Sequence, residues 1–191
     1  MPPEFYEDGQ VRKHSLESLF NSPGWDILTA IQHGHRARTD VKGKLAEYYL
    51  NLHIAQIHSL SYVTSYAWSD KTGEPDFIVE IDDKSYRVEC KNVRSDKAVF
   101  ADAHKVELQK TRNAIAGGPS RGYKLDEFDI LATCLFNQSG KWEFLFAPTK
   151  TLARRPDHPD YLVIMQKVPY IATGVWKGTL LEAITDFEDG L

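Results

Sequence analysis

The chain is poor in everything that would tie it to a membrane or an oxidising compartment. It has 2 cysteines and 2 methionines in 191 residues. Cys90 and Cys134 stand in separate apolar segments, not in a C-x-x-C pair, so two buried free thiols in a reducing compartment are expected rather than a disulfide framework. No stretch approaches the roughly 18 apolar residues that span a bilayer, and the opening MPPEFYEDGQ has no apolar leader segment. These absences predict a soluble, cytoplasmic chain with no membrane partner. The sequence also has no G-x-x-x-x-G-K-[ST] loop and no G-x-S-x-G elbow, which argues against a P-loop ATPase and a serine hydrolase. His33-Gly-His35 stands without further Cys or His nearby, too few ligands for a transition-metal site. Internal repeats and low-complexity tracts are missing as well.

What is present suits one compact domain over residues 1–191. A hydrophobic fraction of 42% at this length supports a core without staples. Net charge is −4, with 27 acidic residues against 23 basic ones, and the sum alone disfavours nucleic acid. Distribution matters more. Arg36, Arg38, Lys42 and Lys44 gather in one stretch, and Lys91, Arg94, Lys97, Lys105, Lys110, Arg112, Arg121 and Lys124 in another. Acidic residues collect at the ends, in Glu4, Glu7, Asp8, Glu182, Asp186, Glu188 and Asp189. A basic working face on an acidic body can still hold a phosphate backbone.

The elements read as one helix followed by a run of strands. Val41 to Ile57 carries apolar residues at 41, 45, 48, 52 and 55, the spacing of one helical face, with Asp40 as N-cap and Glu47 on the flank beside Lys44 and Asn51. Strands are expected at Ser61 to Trp68, Asp76 to Ile81, Tyr86 to Lys91, Phe128 to Phe136 and Trp142 to Ala147. The unbroken apolar run of the fourth predicts burial on both faces, and Asn137 to Gly140 reads as a turn. In Ala101 to Asn113, His104, Val106 and Leu108 alternate, which favours a strand over the helix that is the alternative, and the last residues are weakly helical.

Gly73 to Lys91 concentrates the chemistry. Asp82 to Ser85 is a polar turn between two strands, and pairing Asp82 with Ser85 sets Asp76 opposite Lys91 and Ile78 opposite Glu89. Asp76, Glu89 and Lys91 then share one face. Opposed side chains start about 5 Å apart and diagonal ones about 7 to 8 Å apart, close enough for two carboxylates to converge on a divalent cation. Without a cation they repel, and one pKa rises.

This arrangement resembles the PD-(D/E)XK nuclease superfamily, with Pro75-Asp76 followed by Glu89-Cys90-Lys91. The resemblance covers about residues 41–147. It implies a restriction endonuclease-like α/β fold of the α+β type, a central mixed sheet of about five strands flanked by helices. It also implies a metal-dependent DNA endonuclease of restriction type. A structure-selective or repair nuclease of the same superfamily is one alternative, and a non-catalytic DNA-binding or assembly subunit another. By that precedent Asp76, Glu89 and the Cys90 carbonyl hold Mg²⁺, or Mn²⁺ in its place, Glu47 adds a carboxylate, and Lys91 orients and helps deprotonate water. Gln109, Lys110 and Arg112, in a tract that resembles segments following the catalytic hairpin of restriction-type members, are expected at DNA, together with Lys44, Arg94, Arg121 and Tyr123. The partners so implied are double-stranded DNA, a second copy in a homodimer, and a larger restriction or repair assembly.

Overall fold

The computed structural model describes residues 6–7, 10–11, 14–71, 73–96, 100, 102–110 and 122–190. Arg112 and Arg121, both expected at DNA, lie outside the described residues. The chain forms two compact units, Met1–Lys42 and Gly43–Leu191. The first holds an antiparallel pair, β1 (Tyr6–Glu7) and β2 (Gln10–Val11), and the helices α1 (Ser15–Phe20) and α2 (Gly24–His33). α1 opens on a reciprocal cap in which His14 Nδ1 accepts from Leu16 N–H and Glu17 accepts from His14 N–H at 2.7 Å. α3 (His35–Ser59) begins in this unit and continues into the second.

The second unit adds, in order, β3 (Ser65–Trp68), β4 (Phe77–Ile81), β5 (Lys84–Asn92), β6 (His104–Glu107), β7 (Ile130–Cys134), α4 (Phe136–Ser139), β8 (Phe144–Pro148), β9 (Met165–Val168) and α5 (Leu180–Glu188). Five strands form one sheet in the order β3-β4-β5-β7-β8, antiparallel throughout except for the parallel β5–β7 pair. β6 and β9 form a separate antiparallel pair. The architecture is α+β, a mixed five-stranded sheet flanked by helices.

Apolar residues on each face of the sheet dictate what covers it. One face carries Phe77, Val79, Val88, Ile130, Ala132 and Phe146 under Ala46, Leu50 and Ile54 of α3 and Leu180, Ala183 and Ile184 of α5. The other packs Leu131, Leu145 and Ala147 against Val106, Leu108, Leu162, Val168 and Trp176. Every residue of β7 is buried, as its unbroken apolar run predicts. Each fully buried Phe, Leu or Ile contributes about 1.5–3 kcal/mol of transfer free energy, so the two-sided β7 anchors both layers. Cys90 and Cys134 are free thiols inside this core.

Several expectations change. The helix is present, but it buries Ala46, Leu50 and Ile54, whereas Leu45, Tyr48 and Leu52 are 38%, 45% and 45% exposed. Apolar residues occupy two stripes of α3, a 3.6-residue period fits either one, and only the sheet selects between them. Asp40 lies within α3, which starts at His35, and so is no N-cap. The hairpin turn is the two residues Asp82 and Asp83, with Asp82 in the left-handed region at φ 53°, and Ile81 pairs with Lys84. Tight hairpins favour a turn of this twist. The register therefore slips by two from the expected one, and Ile78 faces Arg87 rather than Glu89. An even slip leaves each side chain on its face. Asn137 to Gly140 is mostly the short helix α4 rather than a plain turn. β6 gives the expected strand at 104–107, while residues 101 and 111–113 of that segment lie outside the described residues. β9 lies outside the expected strands, and α5 starts on a capping box, Thr179 to Glu182, a T-x-x-E signature carried by the sequence itself.

Candidate active site

β4 and β5 carry the acidic pair. Asp76 sits one residue before β4, and extending the observed pairing of Phe77 with Val88 places it across from Glu89. Glu89 and Lys91 project from β5 on the face opposite Val88 and Cys90, because strand side chains alternate. The Asp76 carboxylate accepts from the Cys90 amide at 2.8 Å, and its own carbonyl accepts from Ser69 N–H at 2.9 Å. Glu89 is buried. Its Oε1 accepts from Lys91 Nζ at 2.5 Å and from the Tyr123 hydroxyl at 2.5 Å.

Electrostatics follow from this crowding. Burial, with Glu89 as the next cause, pushes the Asp76 carboxyl up to about 7, against the opposing pull of Lys91 and the Cys90 amide; Glu47 adds a smaller push. Burial works against the Lys91 ammonium, yet Glu89, Tyr123 and Asp76 together hold its pKa above the ordinary lysine range. Lys91 is therefore a charged donor in this arrangement, not a base. Burial and the Glu89 charge raise the Tyr123 hydroxyl, with Lys91 opposing, so it stays protonated and donates. Burial raises the Cys90 thiol, with Asp76 next, which leaves it no nucleophile.

The other candidates fall into two groups. Glu47 has a side chain only 12% exposed, as a flank leaning toward the sheet requires, but it accepts from Lys44 at 2.9 Å and from the Trp68 indole at 3.1 Å. Trp68 stacks on Phe77, on the α3 side of the sheet. Glu47 thus reaches Asp76 through its field rather than by contact. Among the residues expected at DNA, acids already pair with several. Lys44 binds Asp70 at 2.5 Å as well as Glu47, Arg94 binds Asp96 at 2.9 Å and also Glu107, and Lys110 binds Glu127. Gln109 follows β6 and is half-buried. Asp129, one residue before β7, accepts from the Arg87 amide at 2.8 Å and from the Arg87 guanidinium. It clips β7 to β5.

Tyr123 was expected to face DNA, yet its hydroxyl is turned onto Glu89. Nothing in the spacing announces this contact, since 34 residues separate the two. A divalent metal suits the donor chemistry here. Two carboxylates and a carbonyl are hard oxygen ligands, and burial together with the Glu89 charge raises the Asp76 carboxyl, a cost that a bound cation would offset. Among the described residues no three His, Cys, Asp or Glu side chains form a ready ligand cluster. Asp76 and Glu89 would therefore need the Cys90 carbonyl and water to complete a shell, which Mg²⁺ tolerates. No helix among the described residues is long and apolar enough to cross a membrane.

No family model and no curated protein matches the chain. Among solved structures, the chain is similar to that of a bacterial homing endonuclease, I-Ssp6803I, with a TM-score of 0.47 and 12% identity over 71% of this chain and 79% of that one.

Proposed function

We propose that this chain is a Mg²⁺-dependent DNA endonuclease of restriction type, hydrolysing phosphodiester bonds to leave 5′-phosphate and 3′-hydroxyl ends. The observation that carries the proposal is the placement of Asp76 and Glu89 on one sheet face beside Lys91, with the Asp76 carboxyl raised to about 7 by burial and by Glu89. Such a pair is costly to keep unless a cation uses it.

Asp76, Glu89 and the Cys90 carbonyl would hold the ion, and Mn²⁺ would serve in its place. When bound, the ion supplies Lewis-acid stabilisation of charge on phosphate and lowers the pKa of water. Lys91 is the donor that would orient the attacking water or a phosphate oxygen. While Glu89 grips its ammonium it cannot accept a proton, so any help in deprotonation requires that grip to loosen. Glu47 would act by its charge on Asp76. Lys44, Arg94, Gln109, Lys110, Arg112 and Arg121 would follow the DNA backbone and base edges. The basic side chains among them that now pair with acids would exchange those partners for phosphate, a salt-sensitive trade.

The test is cleavage of plasmid and branched DNA by the purified chain in Mg²⁺, Mn²⁺, Ca²⁺ or EDTA, with Asp76→Asn and Glu89→Gln beside the wild type. Cleavage in Mg²⁺ and Mn²⁺, binding without efficient turnover in Ca²⁺, and loss of cutting in both variants with DNA binding retained are expected. Cutting that resists EDTA, or full activity in either variant, refutes the proposal. Cutting confined to branched DNA refutes the restriction reading alone.

A further inference from the structure

Two groups share one oxygen of Glu89, and they differ in charge. Lys91 Nζ and the Tyr123 hydroxyl both lie 2.5 Å from Oε1. The ammonium neutralises the carboxylate and so competes with an incoming cation. The hydroxyl is a neutral donor that fixes the carboxylate's direction and leaves its charge intact. Groups that orient a metal-ligating carboxylate in this way typically change metal affinity 10- to 100-fold.

Tyr123 is itself held on several sides. Its ring meets Phe128 edge-on, with centroids 5.4 Å apart. Lys91 Nζ lies 5.6 Å from its centroid and Lys110 Nζ 5.4 Å from it. Lys110 is paired with Glu127, which also accepts from Lys124 N–H at 2.9 Å. The Tyr123 carbonyl accepts from Leu162 N–H at 2.9 Å. A side chain clamped by backbone, aromatic and cationic neighbours presents its hydroxyl at a fixed point, which orientation of a ligand demands.

We propose that Tyr123 is the positioning residue for Glu89, holding that carboxylate in its ligating direction while a divalent cation displaces Lys91 from it. The inference rests on the reading of Asp76 and Glu89 as metal ligands. It assigns opposite signs to the two neighbours of Oε1. Removing the Tyr123 hydroxyl weakens the metal, and removing the Lys91 charge strengthens it.

Titration of the full chain with Mn²⁺ in a calorimeter, without DNA, reads this directly. Tyr123→Phe keeps the ring and its packing and is expected to raise the Mn²⁺ dissociation constant 10- to 100-fold, whereas Lys91→Gln lowers it. In cleavage assays the Mn²⁺ concentration for half-maximal rate rises in Tyr123→Phe by the same factor as the dissociation constant. A purely structural role would lower the melting temperature without moving that constant. A wild type that binds Mn²⁺ beside a Tyr123→Phe variant that binds it equally well overturns this inference alone. A wild type that takes up no Mn²⁺ overturns the metal reading and the inference with it.

Discussion

Replacing Asp76 with asparagine should make the metal-free protein more stable at alkaline pH. The amide oxygen of asparagine can still accept from the Cys90 N–H that Asp76 engages at 2.8 Å, so the substitution removes a charge and little else. In the folded chain, burial and then Glu89 raise the Asp76 carboxyl from 3.8 to about 7. The native state thus binds a proton that the unfolded chain releases between these values. Stability falls as pH climbs from about 4 to about 7, because the native state is the one binding more protons there. A shift of about 3 units corresponds to about 4 kcal/mol at 1.36 kcal/mol each. Water access to this half-buried carboxyl leaves about 2–4 kcal/mol. Urea unfolding in EDTA at pH 5 and pH 8 measures it. The wild type should lose somewhat over half of this amount, about 1–2.5 kcal/mol, between the two pH values, the first part being lost below pH 5, and Asp76→Asn should hardly change. At pH 8 the variant should be the more stable. Mg²⁺ at about 100 times its dissociation constant should return about 2.7 kcal/mol to the wild type and nothing comparable to the variant. A wild-type stability that stays level from pH 5 to pH 8, or a variant no more stable than wild type at pH 8, refutes the reasoning.

Two further outcomes test the fold and the DNA face. Leu50→Ala, which empties a fully buried site on α3, should cost about 2–5 kcal/mol in urea unfolding, whereas Leu52→Ala on the exposed stripe should stay within about 0.5 kcal/mol; equal losses would mean that the wrong stripe faces the sheet. Lys110→Ala and Arg112→Ala should weaken DNA binding in filter-binding or anisotropy titrations, a lost phosphate contact lowering the salt slope by about one and a lost base contact costing about 1–3 kcal/mol. Affinity and slope unchanged in both variants would remove this tract from the interface.

Much of this molecule follows from local pattern alone. The β-branched and aromatic runs around Asp82 specify a hairpin, and alternation puts Asp76, Glu89 and Lys91 on one face whether the turn has two residues or four. The observed slip by two residues in register therefore left the constellation intact, where a slip by one would have destroyed it. The unbroken apolar run at Ile130–Cys134 likewise specified burial on both faces, since no polar residue interrupts it. Tertiary structure decided the rest, because those choices depend on distant partners. α3 carries two apolar stripes, and only contact with the sheet picks Ala46, Leu50 and Ile54 over Leu45, Tyr48 and Leu52. A flank position for Glu47 is legible from helical spacing, but its engagement with Trp68 depends on where β3 docks. β9 pairs with β6 across a separation of more than fifty residues, and no local signal announces such a partner. The hydroxyl of Tyr123 reaches Glu89 only because the Leu162 amide, Phe128 and Lys110 hold that residue over β5. Local spacing fixes which side chains share a face, and long-range packing fixes which of them touch.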